Sequence, residues 1–335
     1  MNGGPGLNYL RSWLSMHDRD LPVPPDRKPD RRGVLRQCAG WVGGAALYTL
    51  SGGILSSLAI DRALAAAPRA DRSRPFSFVQ ISDTHIGFDK QANPDARGSA
   101  MRAVQRIKAL PDRPDLVLHT GDITDRSKDA EFDDAKQILS DLGVPIYFVP
   151  GEHDLLDEGR GKAFLAHHGQ GLQGAGWQSF DHAGVHFVGL NNVADRAAGG
   201  MGRLGEKQLA WLATDLAGLA DSTPIVIFAH IPLWTVYDDW GWGTEDSGQA
   251  LALLRRFGSV TVLNGHVHQI LHKVEGNVTF HSARSTAYPQ PSPGAALAPG
   301  PLTVMPEQLP SMLGIRSARF VRGKTPIALI EQTLA

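Results

Sequence analysis

The sequence predicts an α/β fold with buried sheets. From residue 76 onward, short apolar runs rich in Val, Ile and Phe alternate with segments whose apolar residues recur at helical spacing. Chemically unusual residues gather at the C-terminal ends of five of those runs, where open α/β sheets bind their ligands. The chain has 335 residues, 42% of them hydrophobic, with a formal charge of −1. That is an ordinary globular composition, sufficient for one sizeable domain. Near-neutral charge supplies no basic face, so nucleic acid is not an expected partner.

Residues 1–67 read as an export signal and 68–335 as a single domain. A basic stretch at 27–37, "RKPDRRGVLRQ", precedes 38–60, which contain no charge, and "ALAAA" at 63–67 holds two small-x-small cleavage patterns. Basic, apolar and cleavage segments in that order make a signal that is removed. Twenty-three uncharged residues are long enough to span a bilayer. The five glycines among them and the cleavage patterns that follow argue against a stable membrane anchor. Met16 offers an alternative start that shortens the long lead-in. The chain's single cysteine, Cys38, rules out an intrachain disulfide and is lost if cleavage falls near Ala65. Residues 1–67 hold 8 of the 33 Lys/Arg and 5 of the 34 acidic residues, so the remainder carries a net −4.

Strands are expected at 76–81 ("FSFVQI"), 115–120, 144–149, 185–190, 224–230 and 259–264, each bounded by Gly, Pro or a polar residue. "VTFHSA" and "TPIALIEQTL" read as further strands. "EFDDAKQILSDLG" places Phe132, Ala135, Ile138, Leu139 and Leu142 on one stripe and stops at Gly143, and "EKQLAWLATDL" repeats the pattern with Leu209, Leu212 and Leu216. Residues 288–311 are dense in Pro, Gly and Ala and read as a long irregular loop.

The polar residues follow the strands. Asp83 and His85 come after the first, one residue apart, which on extended chain sends both side chains to one face. Gly121–Asp122 follows the second, "GEHD" (Gly151, Glu152, His153, Asp154) the third, His230 the fifth, and "GHVH" (His266, His268) the sixth. Two Asp, several His and a further oxygen ligand suit two divalent ions with mixed nitrogen and oxygen coordination. Such a pair lowers the pKa of a bridging water and clamps phosphoryl oxygens, with no need of a covalent nucleophile.

In order and spacing, "DTH", "GD", "GEHD", the His of "AHIP" and "GHVH" resemble the Asp-x-His, Gly-Asp, Gly-Asn-His-Asp, His and Gly-His-x-His motifs of the calcineurin-like metallophosphoesterases, over roughly residues 76–285. "ISDTHIG" and "HTGDITD" are most similar to the class III cyclic-nucleotide phosphodiesterase branch. The resemblance implies a four-layer αββα sandwich of two mixed sheets. It implies that Asp83, His85, Asp122 and His268 hold one metal, and that Asp122 bridges to a second held by Glu152, His230 and His266. The two ions would be Fe, Mn or Zn. His153 would protonate the leaving oxygen, with Asp154 orienting it, and a metal-bridging hydroxide would attack a phosphomonoester or phosphodiester. The family has Asn where this chain has Glu152, which leaves a catalytically weakened or inactive metal-binding member as the alternative. "RRGVL" (Arg31, Arg32) resembles the twin-arginine export signal and implies a periplasmic or secreted protein carried by that machinery.

Two other signals are weighed. "GMGRLG" matches a dinucleotide fingerprint literally but follows a loop rather than a strand, so it reads as a lip before a helix. The aromatic run Trp234, Tyr237, Trp240, Trp242, just after His230, reads equally as a satellite core or as an apolar lip of the substrate cleft. His119, His167, His168, His182, His186, His272 and His281 lack partner spacing and read as surface or hydrogen-bonded core residues.

Overall fold

The structure is a computed structural model that describes residues 75–196, 200–321 and 327–335. The segment read as an export signal, with Arg31, Arg32 and Cys38, lies outside the described residues. Among the described residues no helix is long and apolar enough to cross a membrane.

In chain order the strands are β1 (Phe76–Ile81), β2 (Leu116–His119), β3 (Ile146–Phe148), β4 (Gln178–His182), β5 (Val185–Leu190), β6 (Ile225–Ala229), β7 (Val260–Asn264), β8 (His272–Glu275), β9 (Val278–Ser282), β10 (Gly314–Phe320) and β11 (Ala328–Thr333). The helices are α1 (Ala96–Lys108), α2 (Asp129–Ser140), α3 (Lys162–His168), α4 (Glu206–Ala217), α5 (Ser247–Leu254) and α6 (Leu309–Met312). One sheet has the order β11-β10-β1-β2-β3 and the other β4-β5-β6-β7-β9-β8. Both are mixed. β1, β2 and β3 run parallel while β10 and β11 are antiparallel, and β5, β6, β7 and β9 run parallel between antiparallel β4 and β8.

The period-2 alternation of the strands sorts their side chains into layers. Phe76 and Phe78 of β1 face inward with Leu116, Leu118, Phe187, Val226, Phe228 and Leu263, a core shared by both sheets. Val79 and Ile81 face outward onto α1 and α2 through Val104, Ile107, Phe132 and Leu139. On the far side, Val188, Ile227 and Val262 meet Leu209, Leu212 and Leu216 of α4 and Leu254 of α5. The result is a four-layer αββα sandwich. Each large side chain buried in these layers contributes about 1.5–3 kcal/mol.

Two polar residues cross the inner core. Gln80, on the inward face of β1, donates to Thr120 Oγ1 at 3.0 Å and to the Asn264 carbonyl at 3.1 Å. Arg316 of β10 is 1% exposed and donates to Gln80 Oε1 at 2.8 Å, to the Ser282 carbonyl at 2.6 Å and to Glu331. A buried charge is tolerable only when paired in this way. The pairing ties β10 in one sheet to β9 in the other.

Candidate active site

The expected ligands come from the ends of five strands. Asp83 and His85 leave β1, Asp122 leaves β2, Glu152 and His153 leave β3, His230 leaves β6, and His266 and His268 leave β7. The turns that hold them are strained. Asp83, His85, Asp122, His266 and His268 all have positive φ, between 39° and 67°, and make up five of the eight such non-glycine residues described. Left-handed backbone at a non-glycine residue costs of order 1 kcal/mol and gathers where function demands it. Close approach does the rest. A Cβ on Gly121 would lie 2.6 Å from His230 Nδ1, and one on Gly265 would lie 2.5 Å from Asp83 Oδ2.

Asp83, His85 and His268 bring one ligand atom each to a common point, and Glu152, His230 and His266 do the same at a second. Asp122 lies between the two groups, its Oδ2 3.5 Å from His85 Nε2 and 3.4 Å from His230 Nε2. In the first group His268 Nε2 is 3.2 Å from Asp83 Oδ1. In the second, Glu152 places Oε2 2.8 Å from His230 Nε2 and Oε1 3.0 Å from His266 Nδ1.

These residues fit a metal pair. Asp83 Oδ2 is buried with no hydrogen bond, and buried Glu152 Oε2 and His230 Nε2 face only each other, at 2.8 Å, an expensive condition unless a cation takes their lone pairs. His230 Nδ1 donates to the Thr120 carbonyl at 2.7 Å and His268 Nδ1 to the Tyr288 carbonyl at 2.6 Å. Each backbone bond leaves Nε2 facing the cluster, the arrangement of a metal-binding histidine held by an outer partner. Burial alone would lower the pKa of His230, but Asp122 and Glu152 raise it well above the ordinary imidazole value. Those carboxylates favour a cation between them, and a divalent metal held by Asp122, Glu152 and His230 would supply it.

His153 stands beside the cluster with its ring 4.7 Å from that of His85. Its Nδ1 donates to the Asp125 carbonyl at 2.8 Å, and the Asp125 carboxylate lies 3.8 Å away. Burial works against its charge, yet Asp122 and Glu152 raise its pKa to about 9. Asp154 does not orient the ring, contrary to the expectation from the motif. The Asp154 carboxylate accepts the backbone N–H groups of Ile123, Thr124 and Gly151 at 3.1, 2.9 and 2.9 Å, together with the Thr124 hydroxyl. It pins the Asp122 turn to the Glu152 turn. Burial and the Asp122 charge push its pKa up to about 7 against the pull of those donors.

The cluster opens into a cleft of about 720 Å³ walled by Phe88, Leu156, Trp240, Tyr288 and Pro299. Trp240 and Trp242 of the aromatic run line it. Trp234 instead packs on Phe280 in the outer core, and Tyr237 is set edge-on behind Trp240, so the expected lip reduces to two residues. Sequence reasoning missed Asp125, Tyr288 and Arg196. Tyr288 places its hydroxyl 3.2 Å from His85 Nε2, from a segment, residues 283–308, that carries no helix or strand. Among the discounted histidines, His119 is fully buried and bonded between Thr84 and the Gly121 N–H, with burial lowering its pKa to about 3. His186 is held between Asp181 and Asp215. At "GMGRLG" the amides of Leu204 and Gly205 are already taken by the Asp246 carboxylate, which leaves no cradle for a phosphate.

The chain is similar to a 3',5'-cyclic-nucleotide phosphodiesterase of a Nostoc species, 25% identical over 64% of this chain and 79% of that protein. It is also similar to a glycerophosphodiester phosphodiesterase of Enterobacter lignolyticus, 28% identical over 64% and 78%. A solved dimetal phosphatase from Danio rerio shares the fold with a TM-score of 0.52 at 17% identity, covering 78% of this chain and 99% of that one. A purple acid phosphatase from yellow lupin gives 0.55 at 12%, over 78% and 52%. The family model for calcineurin-like phosphoesterases matches residues 76–270, more than half of the sequence and every strand end described above. The chain belongs to the calcineurin-like phosphoesterase family of hydrolases.

Proposed function

We propose that the protein is an exported phosphoesterase that uses two divalent metal ions to hydrolyse a small-molecule phosphodiester. The observation that carries this reading is the pair of ligand groups, Asp83–His85–His268 and Glu152–His230–His266, joined through Asp122. Asp122 shared between them, and Glu152 inside the second group rather than turned away, favour a site built to hold both ions. When bound, such ions supply an acidified water and a clamp on the phosphoryl oxygens. The protein's own groups do the rest. His153, held by Asp125, is placed to give a proton to the departing oxygen. Phe88, Trp240, Leu156 and Pro299 receive the ester's organic portion. Preference for a diester draws support from the relatives named as phosphodiesterases.

Purified protein is expected to carry about two transition-metal ions per chain and to hydrolyse bis(p-nitrophenyl) phosphate, with chelation abolishing both. Elemental analysis and the ester assay on one sample check this. Full metal without turnover on mono- and diesters would instead establish a metal-binding member that does not catalyse, the reading that Glu152 in place of Asn raises. Export rests on the basic, apolar and cleavage segments of residues 1–67. Replacing Arg31 and Arg32 together by Lys is expected to leave the protein in the cytoplasm, because the twin-arginine route reads that pair. Fractionation showing unchanged export would end the claim.

A further inference from the structure

Glu152 brings a full negative charge to a position where the family pattern has neutral Asn, and Arg196 stands beside it. Arg196 Nη2 is 3.8 Å from Glu152 Oε1, and its side chain is 16% exposed on the wall of the cleft. Its Nη1 donates to the Gly200 carbonyl at 3.2 Å. The loop that carries it leaves β5 and is pegged at its base by buried Asn191. That side chain accepts the N–H groups of Val193 and Ala194 and donates to the Ala175 carbonyl. β5 lies next to β6 in the same sheet, so this loop emerges at the end where His230 emerges.

Two other cations line the cleft. Arg126 is 54% exposed and paired with Asp125, and Lys90 is exposed beside the Phe88 ring. Arg196 is the one held against the ligand group. A guanidinium carries five N–H donors. The Gly200 carbonyl takes one, and Glu152 at 3.8 Å is a charge partner beyond hydrogen-bond length, so donors remain for a ligand.

We propose that Arg196 is a substrate-binding residue that takes a non-bridging phosphoryl oxygen, with Glu152 as its counter-charge. The proposal rests on the phosphoesterase reading. A carboxylate in place of Asn holds metal more strongly but subtracts one unit of charge from the site that must attract an anion. Arg196 restores that unit, and its fork suits a phosphoryl group as a lysine's point charge does not.

The test measures binding of inorganic phosphate to metal-loaded protein by calorimetry, KM and kcat on bis(p-nitrophenyl) phosphate, and metal content. It compares wild type, Arg196→Gln, Arg196→Lys and the double variant Glu152→Asn/Arg196→Gln. Arg196→Gln is expected to weaken phosphate binding and raise KM by roughly ten- to hundredfold, the size of a lost charged hydrogen bond, with metal retained and kcat less affected. Arg196→Lys recovers part of the loss. The double variant binds phosphate more tightly than Arg196→Gln alone, since the uncompensated carboxylate is gone. Phosphate affinity and KM within about twofold of wild type in Arg196→Gln would overturn the proposal. So would loss of metal with unchanged phosphate affinity once metal is resupplied, which would reduce Arg196 to a support for Glu152. A wild type that binds no phosphate overturns it as well. A wild type that binds phosphate through Arg196 yet cleaves no ester would sink the hydrolytic reading and leave this one standing.

Discussion

Asp122→Ala is expected to yield a folded protein that retains neither metal ion and has no measurable turnover. Its Oδ2 lies 3.5 Å from His85 Nε2 and 3.4 Å from His230 Nε2, so it is the side chain common to both ligand groups. Its Oδ1 accepts the His153 N–H at 2.9 Å and sets the start of the turn that carries Glu152 and His153. Truncation therefore removes a ligand from each group and loosens a third element at once. The fold should survive, because the layers that hold it together are built from residues such as Phe78, Phe187 and Leu212, outside the ligand set. Keeping φ of 51° with Ala costs about 1–2 kcal/mol. Asp122→Asn, which keeps one oxygen in place, should lose less metal than Ala. Elemental analysis with circular dichroism checks all of this, and full metal content with normal activity would refute the assignment.

His153→Ala should separate chemistry from metal binding. The side chain lies outside the two groups that Asp122 joins and clusters only with His85 and Asp125 at their edge, so metal content should stay near wild type. Turnover should fall by ~10²–10⁴-fold, the usual contribution of a positioned general acid. The loss should shrink for esters with acidic leaving groups, which depart without a proton. Asp125→Asn is informative alongside it. The carbonyl that holds Nδ1 is backbone and survives, while the carboxylate that helps keep the ring charged is removed. A rate loss of equal size for nitrophenyl and alkyl leaving groups would assign His153 to charge stabilisation rather than proton donation.

The strands most legible in the sequence include β5, β6 and β7, where every residue is enclosed and most are apolar. β8 is fully exposed at a sheet edge and β4 is half-exposed at the other, so neither shows an apolar run. β10 reads "GIRSARF", with no apolar run to mark it, and nothing in the sequence announces that Arg316 is paired across the core with Gln80, Ser282 and Glu331. The clustering of the site's carboxylates and imidazoles was legible because each follows the end of a strand. Asp154 carried a motif position but spends its oxygens on backbone amides, while Asp125, a bystander in the pattern, holds His153. Tyr288 and Arg196 sit in loops without periodicity, and Tyr288 meets His85 across some 200 residues of chain.

The place of β10 between β1 and β11 sets a timetable. Phe76 pairs with Phe320 across the β1–β10 ladder, so the first of the described strands to leave the ribosome waits for almost the last of them. At 5–20 residues per second that wait is roughly 10–50 s, and pairing over such a distance is intrinsically slow. Asp83 shares the delay, because its carbonyl accepts the Ser285 hydroxyl and Ser82 accepts the Thr286 N–H. A nascent chain thus presents an apolar strand with an open edge and a half-built set of ligands. A chain stalled before residue 314 holds every proposed ligand but lacks the strand that closes β1, and should be a client of chaperones rather than an active enzyme.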